Sequence, residues 1–439
     1  MKKFLRKILP ESFILWTHKV RAILAANIYG FPGRKMTVIG VTGTNGKTTT
    51  VNMITKILEE AGHKVGSITT IGFTCAGKFQ KNNFKMTTFP PFFAQKKLKE
   101  MLVAGCEYVV METTSQAQVQ YRLWGIPIDV EVFTNITHDH LDYHKTFEKY
   151  KKAKGSIFAS LCQSFRKPGV KKIAIINDDD PESEYFKSFD ADLKLTYRIN
   201  KESRSQTDIV ARKIRCDIDG SSFEAVTPLG EARMRLAIPG RFNIENALAS
   251  ISVGVSQNVS LSRIKSALEK IKLVEGRMEQ ISENQEFAVI VDYAHTPDAL
   301  KKIFETVKPA TIGRLISVGG ATGRRDTSKR PILGALMGKY ADIVIVTDED
   351  PYDEDPEEIA DEVIKGVMRA GEKKFEKDKN FFKIMDRKKA IEKAISIAKK
   401  GDTVLITGKG AEEVMAIGEK LVPFSDRGIA REALKKLAE

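Results

Sequence analysis

From residue 36 onward, short apolar runs alternate with stretches whose apolar residues recur every three to four positions. The runs at 36–41, 108–111, 130–134 and 172–176 read as buried strands, and the stretches at 47–60, 91–104 and 147–161 as amphipathic helices. Strand and helix in alternation predict a mostly parallel sheet covered by helices. The pattern changes over 190–238. Apolar positions Val210, Ile214 and Ile218, then Phe223 and Val226, then Met234, Leu236 and Ile238, suggest short antiparallel strands, with Asp219-Gly220 as a hairpin turn. Helices follow at 244–257 and 260–271. After Gly276 a second alternating series begins, with strands at 288–292, 314–318, 342–346 and 403–406 and helices at 298–307, 356–370 and 387–399. The expected fold class is α/β, with a mostly parallel central sheet domain and a doubly wound, Rossmann-like C-terminal domain. The expected boundaries are a short helical segment over 1–35, a central domain over 36–275 and a C-terminal domain over 276–439.

Composition narrows this picture. The chain has 439 residues, too many for one ordinary core, and its 42% apolar and 29% charged residues are those of a folded globular protein. Seventy-one basic residues against 57 acidic ones give a net charge of +14, which attracts acidic partners such as nucleotides. There is no zinc-finger spacing and no aromatic-plus-basic RNA-binding signature, so nucleic acid is not the expected partner. Cys75, Cys106, Cys162 and Cys216 stand far apart with no CxxC pair, which fits a reducing cytoplasm better than a disulfide or zinc framework. The start, Met1-Lys2-Lys3-Phe4-Leu5-Arg6-Lys7, is basic, and the apolar run 13–16 is cut off by Thr17, His18 and Lys19. That run is too short for a signal-peptide core or a membrane span. A helix packed on the protein is the expected reading, a basic amphipathic helix on a membrane surface its rival.

The candidate chemistry starts at Gly43-Thr44-Asn45-Gly46-Lys47-Thr48-Thr49, between a strand and a helix. Glycines let backbone N–H groups approach an anion, and the helix N-terminus adds a favourable dipole. Lys47 suits the β- and γ-phosphates of ATP, and the Thr48 hydroxyl suits Mg2+. The strict pattern GxxxxGK[ST] requires glycine at 41, where Val41 stands; the spacing is instead Gly40-x-x-Gly43-x-x-Gly46-Lys47-Thr48. The central domain is therefore expected to resemble a P-loop ATPase. Glu112 follows a strand, at the carboxyl edge where open α/β sheets bind ligands, and suits a metal held against triphosphate. Three of six histidines fall within Thr137-His138-Asp139-His140-Leu141-Asp142-Tyr143-His144, a clustering that favours metal or phosphate chemistry. Zinc is the rival there, with neither cysteine nor HExxH beside it.

The segment Thr42–Thr50 and the later motifs, in order, resemble the Mur ligase family, the enzymes that build the cell-wall peptide stem, from about residue 36 to the C-terminus. Within it the chain is similar to the branch that extends a UDP-N-acetylmuramyl dipeptide. The resemblance implies that Asn135, Asp139, His140 and Asp142 line the ATP and metal site, with His140 a magnesium ligand. It implies that Lys154 is the family's carbamylated lysine, a metal ligand that the basic helix around it does not itself reveal. Asn243 and Asn246 in Gly240-Arg241-Phe242-Asn243-Ile244-Glu245-Asn246, and His295 in Asp292-Tyr293-Ala294-His295, are implied to face the nucleotide. Without the resemblance, Asn243 reads simply as a helix cap.

On the substrate side, Thr87, Thr88, Ser115, Gln120 and Arg122 match positions that hold the nucleotide-sugar peptide. Arg325 matches the grip on the carboxylate of a free amino acid, and Glu412, in Gly408-Lys409-Gly410-Ala411-Glu412, the contact to its ammonium group. The implied activity is an ATP-dependent, ADP-forming amide ligation through an acyl phosphate in peptidoglycan precursor synthesis, by a monomer without membrane insertion. Two departures qualify it. Where diaminopimelate-adding members carry DNPR, this chain has Glu349-Asp350-Pro351-Tyr352, and two acidic side chains suit a cationic side chain such as that of lysine. About 35 residues precede the first strand, too few for the family's usual UDP-binding domain. A related ligase acting on a folate or an amino-acid polymer is the alternative, and a nucleotide-binding scaffold without ligase activity a third.

Overall fold

The computed structural model describes residues 10–82, 84, 86–199, 207–217, 219–370 and 374–438. Ile218 and the basic start at 1–7 lie outside the described residues. The described chain divides into two compact units. The first holds the chain to Arg215 with Ser221–Leu236 and Phe242–Ile271; the second holds Cys216–Gly220, Ala237–Arg241 and Lys272 onward.

The first unit opens with α1 (Glu11–Tyr29), closed by Gly30 in the left-handed region at φ 70. Its sheet is built from β1 (Thr37–Thr42), β2 (Val65–Ile68), β3 (Gly72–Cys75), β4 (Lys78–Lys81), β5 (Tyr108–Glu112), β6 (Val130–Phe133), β7 (Ile173–Asn177), β8 (Leu193–Ile199), β9 (Asp208–Asp217), β10 (Gly220–Thr227) and β11 (Gly230–Leu236). The order is β11-β10-β9-β8-β7-β6-β1-β5-β2-β3-β4, and β9 through β2 in that order are parallel. The centre is β-branched and buried on both faces, as a parallel sheet between helices requires: Val38, Ile39, Val41, Val109, Val110 and Val132 are all inaccessible. Helices α2 (Lys47–Glu60), α3 (Pro91–Val103), α4 (Ser115–Val119), α5 (Leu141–His144), α6 (Phe147–Leu161), α7 (Ser183–Lys187), α8 (Arg241–Ser256) and α9 (Leu261–Lys270) complete it. Phe186 of α7 stacks on Phe133 at 3.8 Å between ring centroids, sealing the sheet near the end of β6.

Over 190–238 the expected antiparallel pairing holds for β10 and β11, while β8 and the β8–β9 pairing depart from it. β8 is parallel to β7 and β9 parallel to β8; the β10–β11 pair is an antiparallel hairpin. The reason is the connection: α7 turns the β7–β8 link into a helical crossover, which returns a strand parallel to its neighbour. The β2-β3-β4 meander had no sequence signal, because its strands have four residues each and Lys78–Lys81 is exposed throughout.

The second unit carries β12 (Glu279–Gln280), β13 (Ala288–Asp292), β14 (Leu315–Gly319), β15 (Ile343–Val346), β16 (Phe381–Lys383) and β17 (Thr403–Thr407) in the order β12-β13-β17-β14-β15-β16. All but β12 are parallel. Helices α10 (Pro297–Ala310), α11 (Lys329–Tyr340), α12 (Pro356–Arg369), α13 (Arg387–Ile397) and α14 (Asp426–Ala438) accompany them, with a hairpin of β18 (Val414–Ile417) and β19 (Lys420–Pro423). Gly334 of α11 and Gly366 of α12 let these helices touch backbone to backbone: a Cβ on either would lie 1.9 Å from a carbonyl oxygen of the other helix.

Candidate active site

β1 runs into the glycine loop and α2 leaves it. Gly43 and Gly46 have φ of 156 and 86. A Cβ on Gly43 would sit 1.8 Å from the Thr134 hydroxyl, and one on Gly46 2.3 Å from Asn246 Oδ1. Glycine is thus required for space as well as for conformation. The loop is laced to the ends of β6 and α6. The Thr44 N–H donates to the Asn135 carbonyl at 2.8 Å, and the Asn45 N–H to Asn135 Oδ1 at 2.9 Å. Asn135 Nδ2 and Thr134 Oγ1 both donate to the Asn45 carbonyl, at 3.1 and 2.7 Å. The Thr44 hydroxyl meets the Tyr150 hydroxyl at 3.0 Å. From α8, Asn246 accepts the Thr50 hydroxyl at 3.3 Å and donates to Asn243 at 3.1 Å. Asn135, Asn243 and Asn246, far apart in sequence, are therefore gathered around the loop with Thr48 and Thr49.

Two amines converge on one carbonyl. Lys47 Nζ donates to Gly43 O at 2.9 Å and to Thr44 O at 2.8 Å, and Lys154 Nζ donates to the same Gly43 O at 2.8 Å. Lys154 is buried above the Tyr150 ring. Burial, then repulsion from Lys47, push its pKa well below the usual lysine range. A neutral, held amine is the form that adds carbon dioxide, so this environment fits carbamylation.

Glu112 ends β5 beside the start of α2. Its Oε1 accepts the Thr48 hydroxyl and the Thr70 N–H, both at 2.8 Å, and its Oε2 accepts the Thr70 hydroxyl at 3.1 Å. A hydroxyl and a fixed carboxylate at a phosphate loop are hard oxygen donors that suit magnesium. His140 adopts the left-handed region at φ 55, caps α5 and lies 3.4 Å from Asp139. Among the described residues no group of three His, Cys, Asp or Glu gathers as a metal site. Of the set expected from sequence, Thr48 bonds Glu112, His140 lies beside Asp139, and Lys154 bonds the loop carbonyl.

The substrate-side residues form a chain of contacts leading away from Glu112. The Thr70 and Thr87 hydroxyls pair at 3.0 Å, and the Thr88 hydroxyl donates to the Glu112 carbonyl at 3.3 Å. Arg122 donates to the Thr88 carbonyl at 2.6 Å and to Gln120 at 2.5 Å; Gln120 donates to the Tyr143 hydroxyl at 3.2 Å. Ser115 pairs with His144 at 2.9 Å, and burial above all drives that imidazole down to about 4. Beneath the loop, Glu131 on β6 is buried and pushed up to about 8 by burial, with one oxygen accepting Thr113 at 2.6 Å.

The second unit holds the remaining residues. Lys409, inaccessible to solvent, donates to Asp350 at 3.1 Å and to Glu412 at 2.9 Å; Glu412 also accepts the Tyr293 hydroxyl at 3.3 Å. Gly408, at φ 112, lies against Glu349, where a Cβ would be 2.4 Å from Oε2. Glu349 is buried and pushed up to about 7 by that burial, with Arg387 opposing. Arg387 grips Asp426 with two bonds of 2.8 and 2.7 Å. His295 is held by the Tyr293 carbonyl at 2.9 Å, while Arg325 is exposed on its loop. Lys409, Thr70, Thr134, Tyr150 and Glu131 were not singled out from the sequence. Their roles arise from long-range contacts that no spacing encodes.

A parallel sheet, a glycine loop at the head of a helix and a hydroxyl–carboxylate pair beside it define a nucleotide-dependent enzyme. Residues 41–254 match the Mur ligase middle domain and residues 276–410 the Mur ligase glutamate ligase domain. The chain belongs to the Mur ligase family, ATP-dependent ligases that form amide bonds. It is 40% identical to a UDP-N-acetylmuramyl-tripeptide synthetase of Roseiflexus sp. over 95% of this chain and 82% of that one. It is 39% identical to a UDP-N-acetylmuramoyl-L-alanyl-D-glutamate--2,6-diaminopimelate ligase of Geobacillus thermodenitrificans over 98% and 84%. Among solved structures, another such diaminopimelate ligase superposes with a TM-score of 0.61 at 29% identity, covering 92% of this chain and 79% of that one. A folylpolyglutamate synthase of Mycobacterium tuberculosis superposes with a TM-score of 0.71 over 95% and 94%, and at 17% identity this likeness is one of fold.

Proposed function

We propose that this ligase joins a free diamino acid, lysine-like, to the terminal carboxylate of a UDP-N-acetylmuramyl-dipeptide-like donor in the cytoplasm, in peptidoglycan precursor synthesis. The observation that carries the reading is the convergence, within one unit, of the glycine loop, Lys154, Glu112 and the Thr88–Arg122–Gln120 network. ATP phosphorylates the donor carboxylate, the amine attacks the acyl phosphate, and phosphate leaves. Lys47 and the N–H groups of Gly43–Thr49 hold the transferring phosphoryl group, where fixed charge contributes most. Asn135 holds the loop in shape, and Asn243, Asn246 and His295 serve the nucleotide. Thr48, Glu112, His140 and carbamylated Lys154 would hold magnesium, which when bound offsets phosphate charge. Thr87, Thr88, Ser115, Gln120 and Arg122 bind the donor, which keeps residues 36–275 as the ATP and donor domain. Arg325, Glu349, Asp350, Gly408 and Glu412, within 276–439, bind the amino acid.

The preference for a lysine-like acceptor rests on Glu349 and Asp350, although Lys409 already engages Asp350. Mass spectrometry of products from ATP, muramyl-dipeptide donors with and without UDP, and mixed amino acids tests the reading. A lysine adduct, with phosphate release that needs both donor and amino acid, is expected. Preferential addition of meso-diaminopimelate would overturn the acceptor assignment. Phosphate release on folate or poly-amino-acid donors alone would overturn the donor.

A further inference from the structure

Helix α1 is apolar on two faces. Ala22, Ala25 and Ala26 are fully buried on the inner face. Gly125 lies so close that a Cβ on it would be 2.7 Å from Ala26, and Lys19 sits over the Tyr121 ring. The helix thus rests on the turn that carries Gln120 and Arg122. The outer face is also apolar. Phe13, Trp16, Leu24 and Ile28 are 46, 58, 51 and 68% exposed, and at 100° per residue they share, with Val20, an arc of about 120° whose polar members, Thr17 and Asn27, turn their side chains onto the helix's own carbonyls. Exposed Lys19 and Arg21 flank this stripe on opposite sides. Residues 1–35 contain eight basic residues and one acidic one, a charge of +7, which is half of the whole chain's +14.

We propose that this face of α1, with the basic residues around it, docks the protein on an anionic lipid surface. An aromatic and aliphatic stripe flanked by cations is the design that lies in the headgroup region, the stripe entering the acyl boundary and the cations meeting phosphate. A second copy of the chain is the poorer occupant, because it would set one +7 segment against another. No described helix is long and apolar enough to cross a membrane, so the attachment is peripheral. Because α1 rests on the 121–125 turn, docking places the donor-binding side of the first unit beside the bilayer.

Co-sedimentation of the full chain with vesicles tests this directly. Binding to phosphatidylglycerol–phosphatidylcholine vesicles should exceed that to pure phosphatidylcholine by about tenfold or more and weaken with salt. Tryptophan emission should shift to the blue on binding, and Trp16→Phe should remove the shift while leaving binding within about threefold, since Phe keeps most of the apolar area. The triple variant Phe13→Ser, Trp16→Ser, Leu24→Ser should lose about tenfold or more of the partition with an unchanged melting temperature, since these side chains are exposed. Lys19→Glu with Arg21→Glu should weaken binding to anionic vesicles and leave the neutral baseline unchanged. Equal sedimentation with neutral vesicles, no emission shift, or undiminished binding by the triple variant would each overturn the proposal. So would a dimer that the triple variant dissociates.

Discussion

The two units hold their functional residues by different means. Around the glycine loop, side chains are pinned to backbone: Asn135, Thr134, Lys47 and Lys154 all bond main-chain groups of residues 43–45. Around Gly408–Glu412, charged side chains are pinned to one another, with Lys409 between Asp350 and Glu412 and Arg387 clasping Asp426. The first arrangement is a steric and hydrogen-bonded mould for an anion. The second is a balance of buried charge that stands only while each partner is present. Damage to the first should appear as lost catalysis, and damage to the second as lost stability.

The largest effect expected is from Gly43→Ala. Its Cβ cannot fit beside Thr134, so the loop must open, and kcat/KM should fall by about 10³-fold, as when fixed transition-state donors are displaced. Steady-state kinetics with thermal denaturation would check this, and a fall under tenfold would deny the mould. Next, Lys409→Met leaves the buried Asp350 carboxylate and the half-buried Glu412 without their shared cation. A loss of about 3–5 kcal/mol in chemical denaturation is expected, and a change under about 1 kcal/mol would show the charges to be independently solvated.

Glu131→Gln sharpens the contrast, since it is a buried charge problem inside the first unit. The folded protein keeps the Glu131 proton up to about pH 8, whereas the unfolded chain releases it near 4.5. A group whose pKa is raised on folding contributes stability at low pH that drains away as pH climbs between those two values. The variant should lack that slope. It should match the parent near pH 4.5 and exceed it by about 2 kcal/mol or more at pH 8, an order of magnitude from the size of the shift. Parallel stability curves for the two proteins would refute the assignment. The smallest effect belongs to Thr70→Val, which deletes the hydroxyl bonds to Glu112 and Thr87 but keeps the N–H bond. About 1 kcal/mol of stability should go, together with a several-fold weaker magnesium dependence; unchanged magnesium titrations would mean that Glu112 needs no such support.

The same contrast explains what the sequence disclosed. Gly43, Gly46 and Lys47 announce themselves, because a mould for phosphate is written in adjacent residues. The strand–helix alternation disclosed the parallel core for a similar reason: period and burial are local. Thr70 and Tyr150 stayed hidden, since each acts across the fold on a residue distant in sequence. Lys409 lies inside a segment singled out for its neighbours, yet its task depends on Asp350, which only the packing of β15 near β17 supplies. The antiparallel reading of 190–238 held for β10 and β11 but missed that β8 returns parallel to β7, because the crossover helix α7 before it has five residues, too few to show a helical period.

The Gly43 carbonyl, which receives both Lys47 and Lys154, has a further consequence. An oxygen has two lone pairs, so both seats are filled. If Lys47 leaves for an incoming phosphate, one seat opens and the repulsion on Lys154 eases, so the basicity of Lys154 should rise. Nucleotide arrival would then slow the addition of carbon dioxide to unmodified Lys154, because more of that amine carries a proton. We expect ¹³C-bicarbonate labelling of that residue to be fast in the free protein and slow with ATP bound, and equal rates would exclude the coupling. The loop would in this way act as a gate, open to the modification while Lys47 holds the Gly43 carbonyl and closed to it once the nucleotide has drawn Lys47 away.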